Sequence, residues 1–477
     1  MRVAHLRRPA RLRPGAGSGD EPCRVLCFFT VATTEFAQSS KSARAPRRSL
    51  LKHLPLSARS VYRWFLTAVL ALVVAAPAPA ASLSALRAGG HTYYVDSRAG
   101  NDAHSGRSPA QAWRSLARAA SVRLGGGDRL LLRRGSSWQT ELDVASSGTA
   151  SHAVSIGSYG SGPPPLIHRG ATCVRITGSF VHLSGIAVRD CTWAGVSLVG
   201  SSVRVDHVEV RGAAAGIEVT PGSRRDEIVH NELINNNRMD VLTRSPTNDD
   251  SGAFGILLRG EGTLVAYNRI DGSDAFSYDY GRDGSAVEVY GGRNNTIVRN
   301  VAVNDNAFTE LGNPQSAGNT YAYNLFVSSA AKATFLVTRG AGDSFGPVRG
   351  TRVYNTTAVL TGKNSEGVVC YDGCSPDILR LRNDVVAVAR GDALQADGAF
   401  DEAHDVFFGH VSGVRLGPHS IAANPRFRNP RAGNFHLLPS SPAIGRGVPL
   451  GFLRDLVGTL VPRTAPDAGC FEFRRSG

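Results

Sequence analysis

The stretch Asp283-Gly-Ser-Ala-Val-Glu288-Val-Tyr-Gly-Gly-Arg-Asn-Asn-Thr-Ile-Val-Arg-Asn300-Val-Ala-Val-Asn-Asp-Asn-Ala-Phe-Thr-Glu310-Leu311 decides the fold. It holds three short alternating runs, Ala-Val-Glu-Val, Thr-Ile-Val and Val-Ala-Val, with Gly and Asn between them. Period-two runs of this length, punctuated by turn formers, read as strands joined by tight turns. Glu288 and Glu310 lie 22 positions apart at matching places in their runs. One turn of a parallel β-solenoid would bring them onto successive rungs.

Working outward, the same units recur. Gly-apolar-x-apolar appears as Gly195-Val-Ser-Leu198, Gly216-Ile-Glu-Val219, Gly255-Ile-Leu-Leu258 and Ala286-Val-Glu-Val289, and in weaker form as Phe308-Thr-Glu-Leu311. A second unit, Asn followed by a short strand, begins at Asn231, Asn268, Asn300, Asn324, Asn355 and Asn383. Units that cannot bury their own apolar face stack on their neighbours, and with no helices between them they form a β-helix, right-handed by the usual crossover rule. The fold expected is all-β: a single right-handed parallel β-helix with a short N-terminal capping helix and an irregular C-terminal closing segment. The Asn column reads as scaffold, because Asn tolerates the left-handed turn conformation and stacked amides bond along a ladder.

Composition agrees: 19% charged residues and 53 glycines in 477 suit a turn-rich β protein. Of the formal charge of +14, residues 1–63 carry +10, leaving +4 for residues 81–477. The basic character belongs to the N-terminus and is no argument for nucleic-acid binding by the folded part. No Gly-rich phosphate loop, Ser/His/Asp arrangement or basic-aromatic patch stands out.

Residues 1–60 lack periodicity and are expected to be disordered, or to belong to a start assigned too early. Residues 61–80 contain the apolar run Leu66–Ala76 and then Ala78-Pro-Ala80, the layout of a secretory signal peptide cleaved near Ala80. The expected location is secreted or cell envelope, with no membrane span after cleavage. Export is compatible with cysteine use: Cys370 and Cys374 could close a small loop, Cys173 and Cys191 could bridge neighbouring coils, and Cys470 sits in an apolar run. The folded domain, 81–477, opens with a strand at His91–Asp96. Ser108-Pro109 then predicts a helix over 110–120 covering the first coil, within a cap of about 91–120. The closing segment spans about 420–473.

Two insertions break the coil length, Asn237–Ala253 and Asp271–Asp283, each just before a strand of the Gly-apolar-x-apolar column. Their acids and aromatics, Asp249, Asp250, Tyr278 and Tyr280 among them, are expected to line a cleft that holds sugars.

The opening Tyr-Tyr-Val-Asp…Gly-Asn-Asp…Ala-Trp-Arg-Ser-Leu, the coils, and the closing Asn-Pro-Arg-Phe…Asn-Phe…Ser-Pro-Ala-Ile…Ala-Gly-Cys-Phe-Glu resemble secreted parallel β-helix proteins of the pectate-lyase-like superfamily over residues 91–473. The resemblance implies the fold and a polysaccharide substrate, not one reaction. Pectate lyases present clustered Asp ligands for calcium; this chain has Glu at its strand positions, so no residue is carried over.

Three chemistries fit the residues. Stacked Glu288 and Glu310, with Asp283 as a third carboxylate, would stand about one strand spacing apart, ~4.8 Å, near the ~5–5.5 Å of retaining glycoside hydrolysis. A polysaccharide lyase or epimerase acting on a uronate would hold Ca²⁺ on Asp283, Glu288 and Glu310 and use Lys332 or Arg339 as base. A non-catalytic carbohydrate-binding or envelope protein would carry the same acids as a polar outer face. The hydrolase depends on Thr309-Glu-Leu311 aligning with Val287-Glu-Val289, since a shift of one would bury Glu310.

Overall fold

The computed structural model describes residues 90–244 and 247–474. The N-terminal extension and the signal peptide expected at 61–80 lie outside the described residues.

Each coil carries three short strands, and each strand pairs in parallel with its counterpart one coil on. The first ladder runs from Thr92–Val95 to Asp401–Ala403 through twelve strands. The second includes Arg269–Asp271, Val301–Val303 and Leu325–Ser328. The third includes Ala194–Leu198, Ala215–Val219, Phe254–Leu258, Ser285–Tyr290, Ala307–Gly312, Lys332–Arg339 and Asn364–Tyr371. Near the far end, Val385–Ala396 is long enough to pair in both the second and third ladders. The expected parallel solenoid is therefore present.

Alternation sends one set of side chains into a continuous apolar core that includes Val196, Ile217, Ile256, Val287, Val289 and Leu311. The recurrent glycine of the third ladder answers to close packing. A Cβ on Gly216 would lie 2.5 Å from the Gly255 carbonyl oxygen, and one on Gly255 would lie 2.6 Å from that of Ala286. Two coils on, Phe308 fills this corner, stacked on Phe335 with centroids 5.7 Å apart.

The amide column is as expected at four coils. Asn231, Asn268 and Asn300 each donate from Nδ2 to Oδ1 of the next asparagine at 3.0 Å, ending on Asn324. The left-handed turn is made by the residue before each of them, His230, Tyr267, Arg299 and Tyr323, with φ of 52–58°. Asn355 and Asn383 stand one place off: they are themselves left-handed, and Thr356 and Asp384 take the column. Asn thus serves two separate jobs at this turn, and sequence position alone merges them.

The N-terminal segment departs from one helix over 110–120. Pro109–Gln111 is a 3₁₀ turn and Leu116–Ala120 a short α-helix, whose first turn is capped by Ser115 accepting from the Arg118 N–H at 3.0 Å. Trp113 interrupts them because its N–H donates to the Tyr94 carbonyl, tying it to the first strand, while its buried indole joins the core. The closing segment does more than cover the far end. It runs back along the coils, where Cys470 and Phe471 pack in one cluster with Val229, Ala266, Val298 and Tyr323. Arg299 also donates to the Asp455 carbonyl. The disulfides Cys173–Cys191 and Cys370–Cys374 are formed, and Cys470 is free and buried.

Candidate active site

The third ladder positions the acids. Glu288 pairs with Glu310 in register, as Val287 does with Thr309 and Val289 with Leu311. Thr309 faces inward, its hydroxyl 2.7 Å from the buried Tyr321 hydroxyl. Glu310 therefore faces outward beside Glu288, both half-buried. The outward column continues from Glu218 through Leu257, Glu288 and Glu310 to Val337 and Val369. We read this column, flanked by two hairpins before the strands and by the strand ends after them, as the floor of a groove.

One wall comes from the two insertions, each an antiparallel hairpin. Met239–Val241 pairs with Ser251–Gly252, and Ala275–Ser277 pairs with Gly281–Asp283. Asp283 ends the second hairpin and so arrives at the mouth of the Glu288 strand. The hairpins are clipped together by carboxylates. Asp250, 5% exposed, accepts from the N–H of Thr243 at 2.7 Å and of Tyr278 at 2.7 Å, and from the Ser277 hydroxyl at 2.8 Å. Asp279 accepts from the N–H groups of Thr247, Asp249 and Asp250. Tyr278 and Tyr280 remain 44% and 38% exposed on this wall, with the Tyr280 hydroxyl donating to Asn248 Oδ1 at 3.0 Å. The expected sugar-binding residues thus divide: the tyrosines are open, Asp249 is exposed, and Asp250 is spent on holding the loops.

The other wall follows the strands. Tyr290, 42% exposed, leads off it. Gly312 leaves room for that ring, since a Cβ there would come within 3.3 Å of it. Arg339, 5% exposed, ends its strand with the guanidinium between Phe345 and Tyr371, 5.5 and 5.3 Å from their ring centroids. From there Nη2 donates to Glu310 Oε1 at 2.6 Å. The guanidinium expected as an alternative base is here the ion-pair partner of Glu310. Lys332 begins the same strand and donates from Nζ to the Tyr280 carbonyl at 3.4 Å, bridging floor and wall.

Electrostatics separates the three carboxylates. Burial, then the charge of Glu310, pushes the Asp283 carboxyl up to about 7, against a smaller opposing pull from the Gly284 N–H and Lys332. Burial, then Glu310 and Asp283, raises Glu288 well above the usual carboxylate range, although the Ser285 hydroxyl donates to it at 2.9 Å. Glu310 is the member with a guanidinium partner. Glu218 stands apart from this set. Although it lies on the floor column, it is buried beneath Trp193, accepts from that indole at 3.1 Å and from Ser197 at 2.9 Å, and is ion-paired with Arg259.

Two acidic groups come into question for the calcium alternative. Of Asp283, Glu288 and Glu310, the last is already paired with the Arg339 guanidinium. The ligand atoms of Asp249, Asp250 and Asp279 do lie within 4.8 Å of one another, but Asp250 and Asp279 already receive backbone N–H groups on both oxygens. The arrangement can supply proton transfer and an anionic nucleophile or base. Sequence spacing put Glu288 beside Glu310, as the register has them, and Asp283 just before the Glu288 strand. It missed Arg339 as the partner of Glu310, along with Tyr290, Tyr371 and Ser285, because those contacts cross strand ends or depend on a strand's bend.

The family model described as right handed beta helix region matches residues 172–358. No curated protein matches. Among solved structures, the chain is similar to pectate lyase Pel9A, at 16% identity over 80% of this chain and 96% of that one, with a TM-score of 0.51. It is also similar to the GH136 lacto-N-biosidase from Eubacterium ramulus, at 15% identity over 70% and 67%, with a TM-score of 0.42. A third is an alginate lyase from Paenibacillus sp. str. FPU-7, at 17% identity over 53% and 92%, with a TM-score of 0.36. At these identities the likeness speaks to fold. The chain has the right-handed parallel β-helix fold, which it shares with that pectate lyase.

Proposed function

We propose that the chain is a secreted or envelope-associated enzyme that hydrolyses a glycosidic bond of a polysaccharide lying in this groove. The observation that carries the reading is the divided trio on two successive rungs. Glu310 is charge-balanced by Arg339, while Asp283 across from it holds its proton to about pH 7. Paired carboxyl groups pushed apart in this way supply the acid and the nucleophile or base of glycoside hydrolysis. Asp283 is the proton donor and Glu310 the nucleophile or base. Burial and its two acidic neighbours raise Glu288 well above the usual carboxylate range, which sets it apart from the Arg339-paired Glu310. Exposed Tyr278, Tyr280 and Tyr290 offer ring faces and edges to sugars on both sides of the cut. The solved structures of similar fold include a pectate lyase, which supports a carbohydrate substrate by analogy of fold.

The test is a screen of purified protein against a polysaccharide panel with detection of new reducing ends, repeated with Glu310→Gln. Product release by the native chain, lost in the variant while the glycan is still bound, supports hydrolysis. Unchanged turnover in the variant rejects the assignment. Lys332, beside Asp283 on the same floor, is the feature that favours elimination instead. Products absorbing as unsaturated uronates, lost in Lys332→Ala, would establish that reading.

A further inference from the structure

The folded part of this chain is mildly basic, yet its groove is not. Beyond the three carboxylates already described, the floor's upstream edge continues through Thr334 and Glu366, which pair in register, toward Asp392, which lies opposite His410. Asp392 accepts from the Ser412 hydroxyl at 2.8 Å and faces His410 Nδ1 at 2.6 Å. The downstream wall adds Asp343, Asp372 and Asp397. Burial raises the Asp372 pKa, and the neighbouring Asp343 and Asp397 carboxyls add to that rise. The floor is thus acidic at Glu288 and Glu310 and apolar at Val337 and Val369, where the acid groups move to its two sides. Among them Arg339 is ion-paired with Glu310, and Lys332, whose Nζ donates to the neutral Tyr280 carbonyl, stands between Asp283 and Glu366. Lys363 and Arg390 stand exposed where the chain enters the later rungs, off the floor.

A polyuronate places a carboxylate on every residue. Along the later rungs its carboxylates would meet Glu366 and Asp392 on one side and Asp343, Asp372 and Asp397 on the other, and like charges brought together cost several kcal/mol at an interface. Carboxylates are, by contrast, strong acceptors for sugar hydroxyls. The exposed tyrosines supply ring contacts that need no charge on the ligand. Resting on the reading of the groove as a polysaccharide site, we infer that it takes a glycan without acidic groups, neutral or amino-substituted, and excludes polyuronates such as pectate and alginate.

Affinity electrophoresis of the native chain tests this at about 20 mM and about 300 mM salt. The gels carry either uncharged polysaccharides (β-glucan, xylan, galactan), chitosan, or polyuronates (polygalacturonate, alginate). The result expected is retardation by at least one non-acidic glycan, with polyuronate affinity at least tenfold weaker at low salt. The gap narrows at high salt because screening weakens like-charge repulsion. Glu366→Gln with Asp392→Asn, outside the proposed catalytic trio, should gain polyuronate affinity several-fold at low salt relative to its affinity for uncharged glycans. Polyuronate retained as tightly as, or more tightly than, every non-acidic glycan at low salt overturns the inference while leaving the polysaccharide reading standing. Retardation by no glycan overturns both.

Discussion

Glu288 and Glu310 are register partners on neighbouring strands, yet their surroundings differ: Arg339 Nη2 donates to Glu310 at 2.6 Å, whereas Glu288 receives the Ser285 hydroxyl at 2.9 Å. Two equivalent carboxylates one strand apart would repel each other, and the buried guanidinium breaks that equivalence. Arg339→Lys should therefore be far from conservative. An ammonium loses the planar seat between Phe345 and Tyr371 and the aligned bond to Oε1. Turnover should fall by about 10²-fold or more, within the span that positioned acid–base groups contribute. Unfolding midpoints and rates measured on the same variant separate this from simple misfolding; a rate within twofold of the native chain would remove Arg339 from the mechanism.

The proton on Asp283 should set the alkaline limb of the pH profile. A donor works only while protonated, and its carboxyl is pushed up to about 7 by burial first and by Glu310 second. Log(kcat/KM) should decline with unit slope above that pH. Asp283→Asn should lose both the limb and most of the activity. A profile that keeps rising from pH 6 to 9 would take the donor role away from Asp283.

The third ladder was legible because its inward and outward residues alternate and repeat at close to constant spacing. That regularity was enough to put Glu288 over Glu310 from their separation alone. Three other features were not legible, each for a physical reason. Arg339 reaches Glu310 from the far end of the next strand, 29 positions on, where no periodicity applies. Trp113 leaves its helix for the first strand because a tertiary backbone bond to Tyr94 outweighs local helix preference. Asn355 and Asn383 imitate the amide column while sitting one residue early, since the left-handed turn accepts the same residue type. Asp250 looked like a sugar ligand because it is acidic and lies in an insertion. Only the folded hairpins reveal donors converging on it.

That clip gives a prediction about metal. If Asp250 and Asp279 hold the two hairpins through backbone N–H groups, chelator has nothing to remove. Activity and thermal midpoint should be the same with and without EDTA, to within about 1 °C. Asp250→Ala should free Thr243, Tyr278 and the Ser277 hydroxyl, loosening the wall that carries Tyr278 and Tyr280. The expected effect is a rise in KM of about tenfold with a smaller change in kcat, because positioning on one wall is lost while the floor acids stay. Loss of activity in EDTA restored by calcium would overturn this account of the cluster.

Asp305 offers a test of the scaffold that leaves the groove alone. It lies at the turn between the second and third ladders, in the column where Asn236 accepts from the Ala213 N–H and donates from Nδ2 to the Val210 carbonyl. Asp305 keeps the first bond, accepting from the Ser273 N–H at 2.7 Å, but its buried Oδ2 has no partner among the described residues. A carboxylate cannot donate as the amide does, so burial holds this carboxyl neutral and pushes it up to about 8. In the unfolded chain an ordinary Asp titrates at about 3.9. Since the folded value is the higher one, the contribution to stability is complete below about pH 4 and is lost as pH climbs toward 8. Asp305→Asn restores a permanent donor for the Ile270 carbonyl, the register counterpart of Val210 at this height of the column, and removes the titration. The variant should match the native chain near pH 4 and exceed it by about 1–3 kcal/mol at pH 8, the usual range for an unsatisfied buried polar group. Denaturant unfolding at the two pH values measures the difference. Equal stability at pH 8 would show that Oδ2 finds a donor in solution and that Asp305 is no weak rung.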